Sequence, residues 1–118
     1  VEENFDVYKL RIRERSEILG LISLENHPAE SRIEIRLLAV SKENRGKKKK
    51  YDRIAGNLIA FASKKALMLF GEWACVSLLP KTQLIEHYVQ KYGMTKAGRS
   101  LFVEGIKLIE LIRRYDHG

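Results

Sequence analysis

The chain of 118 residues has a single cysteine, Cys75, so no disulfide can close within it and no cysteine-based zinc cluster can be assembled. That scarcity suits a reducing compartment, and a cytoplasmic location is expected. Long apolar runs are missing as well. Ala74 to Leu79 is one of the longest, far short of the roughly 20 residues of a membrane span, and no basic-then-apolar leader is present. A membrane is not an expected partner. Acidic residues are outnumbered, 15 Asp and Glu against 22 Lys and Arg, for a net charge of +7. Such a balance favours an anionic partner: a phosphorylated small molecule, nucleic acid or an acidic surface. Internal repeats are absent, and the only low-complexity stretch is a lysine run. The length predicts one domain, residues 1–118, with a core that needs neither disulfide nor metal.

The apolar pattern then sets the elements. Val7 to Arg13 alternates, with Leu10 and Ile12 on one face and Lys9, Arg11 and Arg13 on the other, and predicts a half-exposed strand. Ile18 to Leu24 and Arg32 to Val40 predict two more. Between them the turn-rich stretch ENHPAES, 25–31, closes an antiparallel meander. Tyr51 to Phe70 places Ile54, Leu58, Phe61, Ala62, Leu67 and Met68 at near-helical spacing, and Gly71 supplies a stop. Trp73 to Leu79 reads as a buried strand, so the intervening helix is a crossover that leaves the third and fourth strands parallel. A second helix is predicted from Thr82 to Tyr92, ended by Gly93, then two short strands about Gly98 within Met94 to Glu104. Residues 106–115 have an amphipathic helical pattern with either Ile106, Ile109 and Ile112 or Leu108 and Leu111 inward.

The strand end Leu38-Ala39-Val40 is followed by Ser-Lys-Glu-Asn and then Arg45-Gly46-Lys47-Lys48-Lys49-Lys50, directly ahead of the long helix. A lysine run alone reads as a solvated loop. In this setting the order of elements resembles the GNAT superfamily of acyl-CoA-dependent N-acetyltransferases, whose members carry a strand ending in Leu-x-Val and then Arg/Gln-x-x-Gly-x-Gly/Ala. Lys48 and Lys50 depart from that pattern by standing where the superfamily prefers glycine. A second resemblance lies in KTQLIEHYVQKYGM, residues 81–94, although Tyr88 is one residue further from Gly93 than is usual. The likeness spans residues 7 to 104; the opening strand and helix pair of relatives, part of their acceptor site, have no counterpart here.

This resemblance implies an α+β fold, a mixed and largely antiparallel sheet flanked by helices in three αβα layers. It implies acetyl-CoA as co-substrate and a small-molecule or peptide amine as acceptor. A helix N-terminus offers unpaired N–H groups to a pyrophosphate, so Arg45, Gly46, Lys47, Lys48, Lys49, Lys50 and Tyr51 would grip the coenzyme phosphates. The backbone of Leu38 and Val40, at an often-bulged strand end that diverges from its neighbour, would hold the pantetheine arm. Glu34, six residues before Val40, takes the position of the general base of histone-type members, and Tyr88, with Tyr92 as the alternative, that of the proton donor to the departing thiolate.

Plainer readings stand beside these. Glu34 suits an ion pair with Arg32 or Arg36, Tyr88 an anchor under the sheet, and Cys75 a small buried thiol. His87 has no evident partner in the sequence, and His27 and His117 stand isolated in a turn and a tail. No metal-ligand constellation stands out. Two other functions fit the same features: a non-catalytic acyl-CoA-binding or interaction module, and, ranked last, a nucleic-acid surface formed by the basic loop with Lys64 and Lys65. Tyr51 is the one aromatic near that loop, too few for a stacking platform.

Overall fold

The computed structural model describes residues 5–11, 18–42 and 46–115, with side chains described from residue 18 onward. β1 (Phe5–Arg11), β2 (Ile18–His27) and β3 (Arg32–Val40) form the expected antiparallel meander. The helix α1 (Lys48–Phe70) then crosses back to β4 (Cys75–Leu78), which pairs parallel with β3. α2 (Ile85–Tyr92), β5 (Thr95–Ala97), β6 (Ser100–Glu104) and α3 (Ile106–Tyr115) complete the described chain. The sheet runs β1-β2-β3-β4-β6-β5, with β3 and β4 its one parallel pair.

Alternation along the strands divides the sheet into two unlike faces. Ile22, Leu24, Ile33, Ile35, Val76, Leu101 and Val103 are buried on one. α1 covers that face with Ile54, Ala55, Leu58, Ile59, Ala62 and Ala66, a stripe at helical spacing. Gly20 of β2 lets the helix come close, because a Cβ there would lie 2.8 Å from the Ala39 carbonyl oxygen and 3.0 Å from Leu58 Cδ1. α3 packs along α1 with Leu108, Leu111 and Tyr115; a Cβ on Gly56 would run into the Tyr115 ring. The α2 tyrosines join the same core. All three described helices thus supply the layer on one face. The other carries Glu25, His27, Arg32, Glu34, Ser77 and Phe102, residues of neighbouring strands in direct register.

Several element boundaries differ from the sequence expectation for identifiable reasons. α1 begins at Lys48 rather than Tyr51: lysine is a good helix former, and three of the four lysines make the first turn instead of a loop. Trp73 belongs to a 3-10 turn, Gly71–Trp73, and is 76% exposed. Gly71 at φ 62° ends the helix, and this turn carries the indole outward before the strand starts. β2 runs on to His27, so the turn of 25–31 shrinks to Pro28–Ser31. Residues 82–84 form a 3-10 turn ahead of α2. In α3 the leucine alternative holds, with Ile106 73% exposed. β1 starts at Phe5, and the predicted positions 12 and 13 lie outside the described residues. By length and composition, residues 48–73 would suffice to cross a membrane; here the helix spends its apolar stripe on the sheet.

Candidate active site

The opening in the sheet follows from strand length. β3 and β4 pair from Arg32↔Cys75 to Ile35↔Leu78. There β4 ends, while β3 continues through Arg36 to Val40. A bulge marks the same point: Ser23 pairs with Leu37 and Leu24 with Ile35, so Arg36 is the extra residue. Bulges bend and twist a strand. Past Ile35, the edge of β3 that faced β4 has no ladder partner from it. Leu38 and Val40 both lie on this stretch, Leu38 half-buried and Val40 in the core.

α1 begins at this same end, because it follows β3 and must return to the start of a parallel β4. Its N-cap, Lys47, makes no side-chain cap bond, and the first turn closes with Tyr51 N–H donating to the Lys47 carbonyl at 2.8 Å. No acidic residue sits in the first turn. Among the described residues, no carboxylate of the first turn neutralises the leading amides and the positive end of the helix dipole. Gly46 and Lys47 to Lys50 are exposed, Tyr51 half-buried, and a Cβ at Gly46 would meet nothing within 4 Å. Arg45 lies outside the described residues.

Behind this turn, α2 faces α1 with two phenols one helical turn apart. Tyr88 is 5% exposed, and burial first, then the neighbouring Tyr51 and Asp52, hold its pKa far above the ordinary tyrosine value. The Tyr92 hydroxyl donates to the Asp52 backbone carbonyl at 3.0 Å, and burial likewise raises its pKa strongly. The two rings stand 5.6 Å apart, with Tyr115 5.7 Å from Tyr92. His87 proves to have a partner. Its Nε2 is 2.8 Å from the Oδ1 of buried Asp52, whose Oδ2 is 3.8 Å from Lys91 Nζ.

Glu34 sits on the sheet face away from α1, its side chain 22% exposed. Both guanidiniums expected beside it are there, Arg32 Nη1 at 3.4 Å and Arg36 Nη1 at 3.5 Å. The shortest contact is one the sequence did not suggest, His27 Nε2 at 2.9 Å. A groove of about 440 Å³ lies alongside, lined by Arg32, Glu34, Cys75, Ser77, Ala97 and Phe102 among others. Arg32 Nη1 donates to the Ser77 hydroxyl at 2.7 Å within it. Cys75 is half-buried, and burial pushes its thiol pKa up, the reverse of an activated nucleophile.

The structure thus brings Leu38, Val40 and the residues Gly46 to Tyr51 to one end of the sheet. Glu34 and Tyr88 point to opposite faces: Tyr88 belongs to the core that Ile33 and Ile35 complete, and Glu34 alternates with them. His27 was hidden by reading 25–31 as a turn. Only the continuation of the strand through Glu25 would have placed it beside Glu34.

Sheet order, the bulged third strand and the single short parallel pair are those of a GNAT-like fold. No family model matches the chain, and no curated protein matches it. Solved structures do. The KacTA–DNA complex aligns with a TM-score of 0.65 at 11% identity, covering 93% of this chain and 74% of that one. A Bacillus subtilis acetyltransferase in complex with CoA gives 0.59 at 14%, covering 86% and 77%. Tetrahymena GCN5 gives 0.56 at 12%, covering 81% of this chain but 54% of its own. The chain likewise spans 63% of a nourseothricin acetyltransferase. At such identities the likeness is one of fold.

Proposed function

We propose that the protein is an N-acetyltransferase that moves an acetyl group from acetyl-CoA to an amine by direct attack within a ternary complex. The observation that carries this reading is the end of β3–β4 pairing at Ile35 and Leu78 on the same side as a helix start whose N-cap makes no side-chain bond and whose lysines are exposed. Two matching structures are described with CoA or acetyl-CoA. Acetyl-CoA supplies an acetyl thioester when bound. Arg45 and the residues Gly46 to Tyr51 hold its phosphates with ammonium groups and helix amides, the lysines at 48 and 50 adding charge where relatives have glycine. The β3 edge at Leu38 and Val40 offers backbone groups to the pantetheine arm.

The acceptor, a small-molecule or peptide amine, enters from the groove. An amine is protonated at neutral pH and must lose that proton before it attacks; Glu34 takes it, directly or through water. Tyr88 is the donor to the thiolate; a tyrosine hydroxyl carries its proton at neutral pH. Tyr92 is the alternative, its hydroxyl engaged by the Asp52 carbonyl. A second reading, a non-catalytic acyl-CoA-binding module, draws on the arginines that already compensate Glu34.

Thiol release from acetyl-CoA in the presence of a panel of small amines and amino-terminal peptides tests the proposal. Amine-dependent release is expected, and it should fall by about 10²-fold or more in Glu34→Gln. Acetyl-CoA binding without release for any amine supports the module instead.

A further inference from the structure

His27 ends β2, opposite Arg32 in the ladder. Its Nε2 lies 2.9 Å from Glu34 Oε1 and 3.3 Å from Glu25 Oε1. Ionised carboxylates only accept, so a ring nitrogen between two of them carries a proton and donates it. The remaining donors to Glu34 are weaker and committed elsewhere. Arg32 makes shorter bonds to Ser77 Oγ at 2.7 Å and Glu30 Oε1 at 2.9 Å, and Arg36 reaches Glu25 Oε1 at 3.3 Å. The orientation of the Glu34 carboxylate at the groove is accordingly set by His27 more than by either guanidinium.

We propose that His27 is the positioning residue for Glu34: its Nε2–H holds the carboxylate at the groove. This rests on the reading of Glu34 as the base. During turnover the acceptor proton passes from the ammonium to a Glu34 oxygen and from there to solvent, while His27 keeps its own. Among the described residues, the charged groups around the ring are Glu25 on β2, Glu30 in the following turn, and Arg32, Glu34 and Arg36 on β3.

The test compares His27→Gln and His27→Leu with the wild type, using kcat/KM for the amine with the highest turnover and the melting temperature of each. His27→Leu should lose on the order of ten-fold at pH 8, below the ~10²-fold floor for removing a general base itself. His27→Gln, whose amide can place an N–H where Nε2–H stood, should recover most of that loss. The proposal is overturned if both variants keep the wild-type rate, or if Gln rescues no better than Leu. Melting temperatures supply a readout independent of turnover: the losses for His27→Leu and Glu34→Gln should combine to less than their sum, and strict additivity would mean the contact does not form. Glu34→Gln separates the two readings. If it is as active as the wild type, the base assignment falls and this inference with it; if it is inactive while the His27 variants behave as wild type, His27 alone is excluded.

Discussion

The protein contains two carboxylate–imidazole pairs of nearly equal length, Asp52–His87 at 2.8 Å and Glu34–His27 at 2.9 Å. Their surroundings differ. Asp52 is 5% exposed, in the early turns of α1, with Lys91 Nζ 3.8 Å from its Oδ2 and Tyr92 on its backbone carbonyl. Glu34 lies beside a groove, among two arginines and a second glutamate. The first pair is built to fasten α2 to the start of α1. The second leaves a carboxylate edge within reach of a visiting molecule. A hydrogen-bond length does not separate a clamp from a base; burial and access do.

The sharpest break of this comparison is to remove each carboxylate and read both activity and stability. Glu34→Gln is expected to lose activity by about 10²-fold or more while changing stability by less than about 1 kcal/mol, as befits a half-exposed ion-pair partner. Asp52→Ala should do the reverse in kind, lowering the unfolding free energy by about 2–3 kcal/mol in urea, because it leaves His87 and Lys91 beside an emptied, buried position. If the two substitutions gave the same profile, the distinction between clamp and base would be lost. Next in size is Tyr88→Phe. A lowered kcat with retained acetyl-CoA affinity assigns the hydroxyl to the reaction, and a lowered melting temperature with unchanged kcat assigns the ring to packing.

The smallest effect is one of pH. Tyr88, Tyr92 and Tyr115 all have raised pKa values, through burial above all. The native state therefore holds these protons more tightly than the unfolded chain does. Their contribution to stability is complete below the ordinary tyrosine value of about 10 and is lost as pH rises beyond it. Urea unfolding should give a flat stability through neutrality and a decline above about pH 10. Tyrosinate absorbance of the folded protein should lag behind that of the urea-unfolded chain.

Much of the fold was legible because it rests on local periodicity. The meander, the crossover and the leucine stripe of α3 all follow from spacing. Contacts between distant residues were not legible. Asp52 and His87 are 35 positions apart, and nothing in either segment names the other. His27 reached Glu34 only because β2 outlasts its apolar alternation, and Arg36 became the bulge only through its pairing with β2. The basic turn was legible as charge but not as helix, since the same lysines serve both. Trp73 misled for the opposite reason: its apolar ring suggested burial, and the backbone left it outside.

Acetyl-CoA titrated calorimetrically into the wild type and into a Lys48→Glu, Lys49→Glu, Lys50→Glu variant tests the phosphate-gripping turn directly. The account predicts saturable binding to the wild type that weakens steeply as salt is raised and is lost in the charge-reversed variant. Equal affinity in both proteins, or no binding to the wild type, would contradict it.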